Sequence, residues 1–141
     1  VIEAPKALLE GLGLASTKQV LAAYDYIVVL ENEAEVRQVQ PDFNRLKNLD
    51  LRGVVITAQG DTEDFVSRCF FPKLDVNEDP VTGSAHCELA PYWAKQLDQS
   101  VLLASQLSHR GGSVQCELKN GRIMLTGQVA DYLQGILNMK G

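Results

Sequence analysis

The sequence has 141 residues, of which 45% are hydrophobic and 22% are charged, and its formal net charge is −5 at pH 7. This length and composition predict one globular domain with a sizeable core. An acidic chain without a lysine and arginine cluster is not expected to bind nucleic acid, and no apolar run is long enough to predict a membrane-spanning helix.

Hydrophobic periodicity, cap residues and turn residues predict short helices and strands along the whole chain. The predicted elements are, in order, a helix over 5–14, a turn over 16–23, a buried strand over 24–30, a helix over 31–40, a turn capped by Asp42 over 42–49, strands over 53–59 and 65–71, a helix over 84–97, and strands over 102–107, 113–118 and 122–127.

Two details of this pattern bear on the architecture. The pair Asn120-Gly121 between the last two strands is a strong hairpin signal. Pro91 is expected to kink or split the long helix, because it lacks a backbone N–H and crowds the preceding turn. Strands followed by a helix and then a hairpin predict a mixed α+β fold, in which a mixed sheet wraps a helix, rather than a doubly wound parallel sheet.

The stretch 77–87 combines an acidic pair, a proline, two hydroxyls, a glycine and a histidine. Pro80 disfavours helical backbone at Asp79, and Thr82 or Ser84 can cap the helix that follows. The free amides and positive dipole end of that helix favour an anion, beside a carboxylate that can handle a proton. A structural interpretation, in which these residues only cap the helix and complement its dipole, stays open at this point.

The three cysteines, Cys69, Cys87 and Cys116, are odd in number and far apart. No Cys/His spacing suits a metal, so neither a disulfide framework nor a metal site is predicted. Free thiols in a reducing cytoplasm are expected instead. The chain begins at Val1 rather than at a methionine, and we expect it to be a piece of something longer.

The string EDPVTGSAHC over 78–87, followed by LAPYW over 89–93, resembles the signature of the phenazine-biosynthesis PhzF-like family. Stretches within 36–42, 54–58, 65–72, 106–112 and 125–128 resemble that family in the same order, so the similarity covers nearly the whole chain. Proteins of this family have two similar lobes of diaminopimelate-epimerase-like fold with the active site between them. This chain is similar to the C-terminal lobe.

The resemblance implies that 1–141 is a single lobe, in which a mixed sheet curls around a central helix that starts near Ser84. The N-terminal lobe is absent. In that family the end of the chain, here from about Val129, tends to cross to the other lobe. A lone lobe would expose the wall that normally faces its partner, so a homodimer is expected.

The same resemblance implies a cofactor-independent isomerase that moves a proton on a small carboxylate-bearing substrate, of the dihydro-hydroxyanthranilate type. Asp79 would be the acid/base that partners a glutamate from the absent lobe, and Gly83 and Ser84 would anchor the carboxylate. Thr82 and His86 are further candidates for substrate binding. His86 has an alternative role as a core histidine that bonds a backbone carbonyl.

The resemblance also implies that this chain alone is inactive, because part of the catalytic set comes from the other lobe. Two other functions stay open. The chain is alternatively a non-catalytic binding module that retains the fold, or part of a diaminopimelate-type epimerase that uses thiols. The thiol mechanism is disfavoured, because Asp79 stands in the acid/base position and Cys87 falls inside the helix.

Overall fold

The computed structural model describes residues 1–138. Within them, the helices are α1 (Lys6–Leu12), α2 (Glu33–Gln38), α3 (Phe43–Leu46) and α4 (Gly83–Leu97), with a 3-10 turn at Pro72–Leu74. The strands are β1 (Gln19–Ala22), β2 (Tyr26–Val29), β3 (Val54–Gln59), β4 (Phe65–Phe70), β5 (Val101–Gln106), β6 (Gly112–Lys119) and β7 (Arg122–Thr126). The predicted crossing of the tail extends into 139–141, which lie outside the described residues. No helix of the described part is long and apolar enough to span a membrane.

The strands form one mixed sheet whose spatial order repeats the chain order, from β1 to β7. The pairs β2–β3 and β4–β5 are parallel, and the other neighbours are antiparallel. Asn120 and Gly121 both have left-handed backbone, with φ of 52° and 73°, as a two-residue hairpin between β6 and β7 requires. The predicted mixed α+β fold and the predicted hairpin are confirmed.

The central strands are covered on both faces. Tyr26 and Val28 of β2 pack with residues of α1, α2 and α3, whereas Ile27 and Val29 pack with residues of α4. All four side chains are buried. A strand that is buried on both faces is a continuous apolar run, which is why the sequence alone predicts this one.

Helix α4 packs against one face of the sheet through a stripe of buried side chains. Leu89 and Trp93 lie one turn apart in this stripe. The Trp93 indole N–H donates to Thr57 Oγ1 over 3.0 Å, and its ring stacks on Phe65 with 5.9 Å between centroids. The helix begins at Gly83, which confirms the predicted start near Ser84.

One local prediction is wrong, and the split that was one of the two expected effects of Pro91 does not occur. The segment predicted as a turn over 16–23 contains β1, which pairs with β2 in the register Gln19 to Val29. An edge strand of four residues is too short to show a clear period of two. Pro91 does not split α4, which runs unbroken from Gly83 to Leu97. Both Pro91 and Cys87 lie on the exposed side of the helix, where water can hydrate the carbonyl that the proline leaves unbonded.

Candidate functional site

The loop 77–82 connects the 3-10 turn to α4 and is fixed to the sheet at its start. The Asp79 N–H donates to the carbonyl of Cys69 at the end of β4, over 2.9 Å. Its neighbour Glu78 receives two hydrogen bonds from the guanidinium of Arg68, of 2.7 and 3.1 Å. Arg68 also donates to the carbonyl of Val39, over 2.8 Å. Glu78 is therefore a structural tether rather than a solvated carboxylate.

Gln106, at the end of β5, bridges both ends of the Asp79–Thr82 turn. Its Oε1 accepts from the Thr82 N–H over 2.8 Å, while its Nε2 donates to the Asp79 carbonyl over 2.6 Å and to Thr82 Oγ1 over 3.1 Å. The side chain is almost fully buried. Ser108 adds a bond of 2.8 Å from its hydroxyl to the carbonyl of Pro80. The backbone of the turn is therefore fixed by two polar side chains, one at the end of β5 and one just after it.

The hydroxyl of Thr82 points at Asp79 instead of capping the helix. Because Thr82 Oγ1 accepts from Gln106 Nε2, its own proton goes to Asp79 Oδ2, 2.6 Å away. Of the two candidate cap residues, Thr82 holds the N-cap position of α4, yet its side chain makes no cap hydrogen bond. Asp79 Oδ1 accepts no hydrogen bond from the described residues, which leaves one carboxylate oxygen open.

The uncapped first turn of α4 presents Gly83 and Ser84 at the surface, and both residues are exposed. Their amide N–H groups are too early in the helix to bond a preceding turn, and they lie at its positive dipole end. A Cβ added to Gly83 would meet only Leu125, at 3.6 Å, so internal packing does not require a glycine there. This end of α4 has the donors that a carboxylate needs.

Arg52, in the turn before β3, is a site residue that the sequence analysis missed. Its Nε donates to Asp25 Oδ1 over 3.0 Å, and Nη2 donates to both Asp25 Oδ2 and the Ser84 hydroxyl, the latter over 3.1 Å. The guanidinium lies 5.1 Å from the centre of the Phe71 ring. Its hydrogen bonds to Asp25 raise the pKa of Arg52 further, so it stays charged. Asp25 and Ser84 lie 27 and 32 positions away in the chain, so no local motif signals this cluster.

These groups surround one cavity of about 210 Å³. It is lined by Arg52, Phe71, Leu74, Val76, Asp79, Thr82 and Ser84. Four of these lining residues are polar or charged, and the other three, Phe71, Leu74 and Val76, are apolar. A larger depression of about 310 Å³ near α1 and α2 has Glu35 as its one ionisable lining residue. Of these two cavities, the one at the start of α4 therefore has the fuller set of charged and hydroxyl groups.

The structure places His86 in the core and not at this cavity. Its side chain is fully buried, 6.1 Å from Phe65 between ring centroids. Nδ1 lies 2.7 Å from the carbonyl of Thr82 and must donate, because a carbonyl only accepts. Nε2 has no partner among the described residues, and burial lowers the pKa of the imidazole, which keeps it neutral. Its role in substrate binding stays a prediction, and its position fits the core alternative.

Glu88 lies one helical turn after Ser84, on the side of α4 that faces Arg52 and Asp25. Neither of its carboxylate oxygens has a hydrogen-bond partner among the described residues. Burial, and after it the nearby charge of Asp25, raise the pKa of Glu88. No group of three or more histidine, cysteine or acidic side chains in the described part is arranged to hold a metal ion.

Comparisons with known proteins agree with each other. The family model of phenazine biosynthesis-like proteins, PhzC-PhzF, matches residues 8–135. An uncharacterized isomerase of Pseudomonas aeruginosa is 47% identical over 135 residues, which cover 96% of this chain and 52% of that protein. A crystal structure of a PhzF family protein from Enterococcus faecalis has a TM-score of 0.81 at 45% identity, covering 94% of this chain and 53% of that one.

A second crystal structure, of a putative PhzC/PhzF protein from Clostridium difficile, has a TM-score of 0.87 at 41% identity. The match covers 98% of this chain and 53% of the crystallised one. The chain thus spans about half the length of the curated relatives it matches.

Proposed function

Because the chain belongs to the phenazine biosynthesis-like PhzC-PhzF family, we propose that it is one lobe, the C-terminal one, of an isomerase. The intact protein would relocate a proton on a small carboxylate-bearing molecule. The observation that carries this proposal is one cavity that contains both Asp79, with a free carboxylate oxygen, and the uncapped start of α4. Several relatives of similar sequence are named as isomerases, which supports the reaction class.

In the proposed complex the substrate carboxylate lies at the first turn of α4. The amides of Gly83 and Ser84 donate to it, and the positive end of the helix dipole favours its charge. The Phe71 ring and the apolar side chains of Leu74 and Val76 pack against the remainder of the substrate. A six-membered carbon ring with one carboxylate, as in a dihydro-hydroxyanthranilate, has this combination of an anionic end and a largely apolar body.

The proposed chemistry needs two acid/base groups and conserves the composition of the substrate. A proton leaves one position of the substrate and another is delivered elsewhere on the same molecule, so no electron donor or acceptor takes part. Asp79 is the acid/base on this lobe, acting through Oδ1. The second group would be the glutamate that the family resemblance assigns to the other lobe. No organic cofactor or metal is proposed, and the chain alone is expected to be inactive.

We extend the proposal to the assembly and location of the protein. Strands β5 to β7 expose apolar side chains on the face that α4 does not cover, with Val101 and Leu103 each 47% exposed and Met124 50% exposed. A second copy of the chain would bury this face in a homodimer. Light scattering at several concentrations tests the dimer, and Leu103→Lys should shift it to the monomer. The free cysteines of the described residues fit a cytoplasmic protein.

The test of the proposed site is an amide NMR titration of this chain with 3-hydroxyanthranilate, a stable planar analogue. We expect saturable shifts confined to residues 79–85 and to the rim of the same cavity. The variant Asp79→Asn should keep this binding, because its side chain is not the carboxylate receptor. A flat titration with a folded spectrum would count against the anion site.

Turnover must be tested on the full-length protein. Solvent deuterium should enter a proton-shifted substrate at one carbon, and Asp79→Asn should abolish this incorporation. Binding without any exchange in the full-length protein would favour the alternative, a non-catalytic binding module.

A further inference from the structure

We propose that Arg52 is the specificity-determining residue of the cavity at the start of α4, and that it selects a carboxylate over a neutral group of the same shape. The inference rests on the proposed function, since it presumes that the ligand's anionic end lies at the first turn of α4. It adds a side chain that no motif in the sequence indicates.

The first argument is that Arg52 is held rigidly at the cavity. Asp25 has no exposed surface and accepts from two nitrogens of the guanidinium, which fixes the plane of the group. The guanidinium carbon lies over the Phe71 ring, 5.1 Å from its centre, and the Ser84 hydroxyl accepts from Nη2. Three separate segments of the chain therefore fix one side chain that is still one-third exposed to the cavity. A group held in this way loses little further entropy when it binds a ligand.

The second argument is that one nitrogen of the guanidinium is left over. Nε and Nη2 form the side of the group that Asp25 occupies, and Nη1 makes no hydrogen bond with the described residues. In a planar guanidinium, Nη1 and Nη2 also share the end edge, on which Nη2 already reaches Ser84. The free N–H of Nη1 therefore points to the same side as the Ser84 hydroxyl. This N–H is therefore directed towards a carboxylate bound at the first turn of α4.

The third argument is the charge around the cavity. Asp79 lines the cavity, and Asp25 and Glu88 lie close enough to Arg52 for their charges to act on it. Arg52 is the single cation among the lining residues of this cavity. Burial favours the neutral form of Glu88, and Asp25 lies deeper than the guanidinium it binds. Without Arg52, only the backbone N–H dipoles at the start of α4 would offset the repulsion between an anionic ligand and Asp79. A ligand with a carboxylate would then bind no more tightly than one with a neutral carboxamide.

The test compares two ligands of nearly the same shape, 3-hydroxyanthranilate, which is an anion, and its neutral amide, 2-amino-3-hydroxybenzamide. Calorimetry or NMR titration of this chain gives the ratio of the two dissociation constants. We expect the unmodified chain to bind the acid at least about tenfold more tightly, and Arg52→Met to lower that ratio to about one. Arg52→Lys keeps the charge but loses the fork, so an intermediate ratio is expected.

Two further variants keep the test independent of folding. Arg52→Met leaves Asp25 buried without a partner, so the double variant with Asp25→Asn is measured beside it and is expected to give the same ratio near one. Arg45→Met removes an exposed arginine that pairs with Glu10, and it should leave the ratio unchanged.

The outcomes separate the two proposals. If the unmodified chain binds neither ligand, the anion site itself fails and the proposed function loses its support. If the unmodified chain prefers the acid and a folded Arg52→Met chain keeps the same preference, the assignment of Arg52 is wrong while the anion site stands. A loss of preference in the Arg52 variants alone supports the assignment.

Discussion

Thr82 donates its hydroxyl proton to Asp79 Oδ2 over 2.6 Å, although Thr82 holds the position from which it would ordinarily cap α4. One side chain thus has two effects on the site. It gives the two oxygens of Asp79 different surroundings, and it leaves the amides of Gly83 and Ser84 without a side-chain partner.

Replacing Thr82 with valine tests this bond with a side chain of nearly the same shape. The change removes one hydrogen bond to a carboxylate, so we expect Thr82→Val to lower the free energy of unfolding by about 1–3 kcal/mol. Urea denaturation of this chain measures the effect. Thr82→Ser keeps the hydroxyl and should recover most of the loss, and equal stability of all three chains would contradict the assigned bond.

Gln106 is expected to contribute more to stability, because it satisfies two backbone groups of the turn. Gln106→Met would leave the Thr82 N–H and the Asp79 carbonyl without this partner, at a cost of about 2–5 kcal/mol. The matched control is Gln38→Met on the exposed side of α2, which should change stability little. If the two variants have the same denaturation midpoint within error, Gln106 does not hold the turn.

Two glycines near the loop should respond in opposite ways to alanine. A Cβ on Gly112 would lie 2.3 Å from Val81 Cγ2, so Gly112→Ala must displace the loop and should cost about 1–3 kcal/mol. A Cβ on Gly83 meets only Leu125 at an ordinary contact distance. Gly83→Ala should therefore be neutral or stabilising by up to about 1 kcal/mol. Thermal unfolding of the pair measures the contrast, and a destabilised Gly83→Ala chain would reverse this reading.

The pH dependence of stability should carry a contribution from His86. Burial lowers the pKa of His86 in the folded chain, whereas in the unfolded chain the imidazole has its ordinary pKa near 6.5. As the pH falls below about 6.5, the unfolded chain therefore binds a proton at His86 more readily than the folded chain does. Unfolding free energy should then fall as the pH falls from about 6.5, with a slope of at most about 1.4 kcal/mol per pH unit from this residue. Glu88 opposes it with the other sign, since its pKa is raised and its contribution is lost as the pH rises.

The His86 contribution is isolated by comparing variants instead of reading a single curve. In His86→Asn the amide nitrogen replaces Nδ1 as donor to the Thr82 carbonyl and does not titrate. We expect this variant to lose the fall in stability between about pH 6.5 and pH 5. His109→Asn, on the exposed turn after β5, should keep that fall. An unchanged slope in His86→Asn would exclude His86 as its source.

The thiols should differ sharply in reactivity. Burial raises the pKa of Cys69 to about 12 and that of Cys116 to about 11, whereas Cys87 is exposed on α4. Ellman's reagent should modify one thiol quickly in the folded chain and all three after denaturation. Cys87→Ser should abolish the fast phase. Fast modification of Cys69 or Cys116 would reopen a thiol mechanism.

The part of the site that the sequence predicts is the part that is contiguous in the chain. Asp79, Thr82, Gly83 and Ser84 fall within six positions, where a proline and a helix start reveal the local geometry. Arg52 and Gln106 come from opposite sides of the loop in the sequence and meet it only through the sheet register. No local signal marks them, and they were therefore not predicted as site residues.

The same distinction explains the errors in the fold. The buried strand β2 and the hairpin at Asn120-Gly121 each leave a strong local pattern, and the sequence predicts both correctly. β1 is formed by pairing with β2 rather than by its own periodicity. Helix α4 continues through Pro91 because the proline lies on the side of the helix that faces solvent. The spacing of apolar residues in the sequence indicates that side only coarsely.

The strand order has a consequence for how the protein is made. Each strand pairs with the strands directly before and after it in the chain, so during synthesis the sheet can grow by addition to one open edge. The Asp79 turn cannot be completed in that way. It leaves the ribosome 27 residues ahead of Gln106, the side chain that fixes it. We therefore expect the Asp79 turn to become ordered only after β5 has joined the sheet, later than the β3 and β4 strands that precede it in the chain.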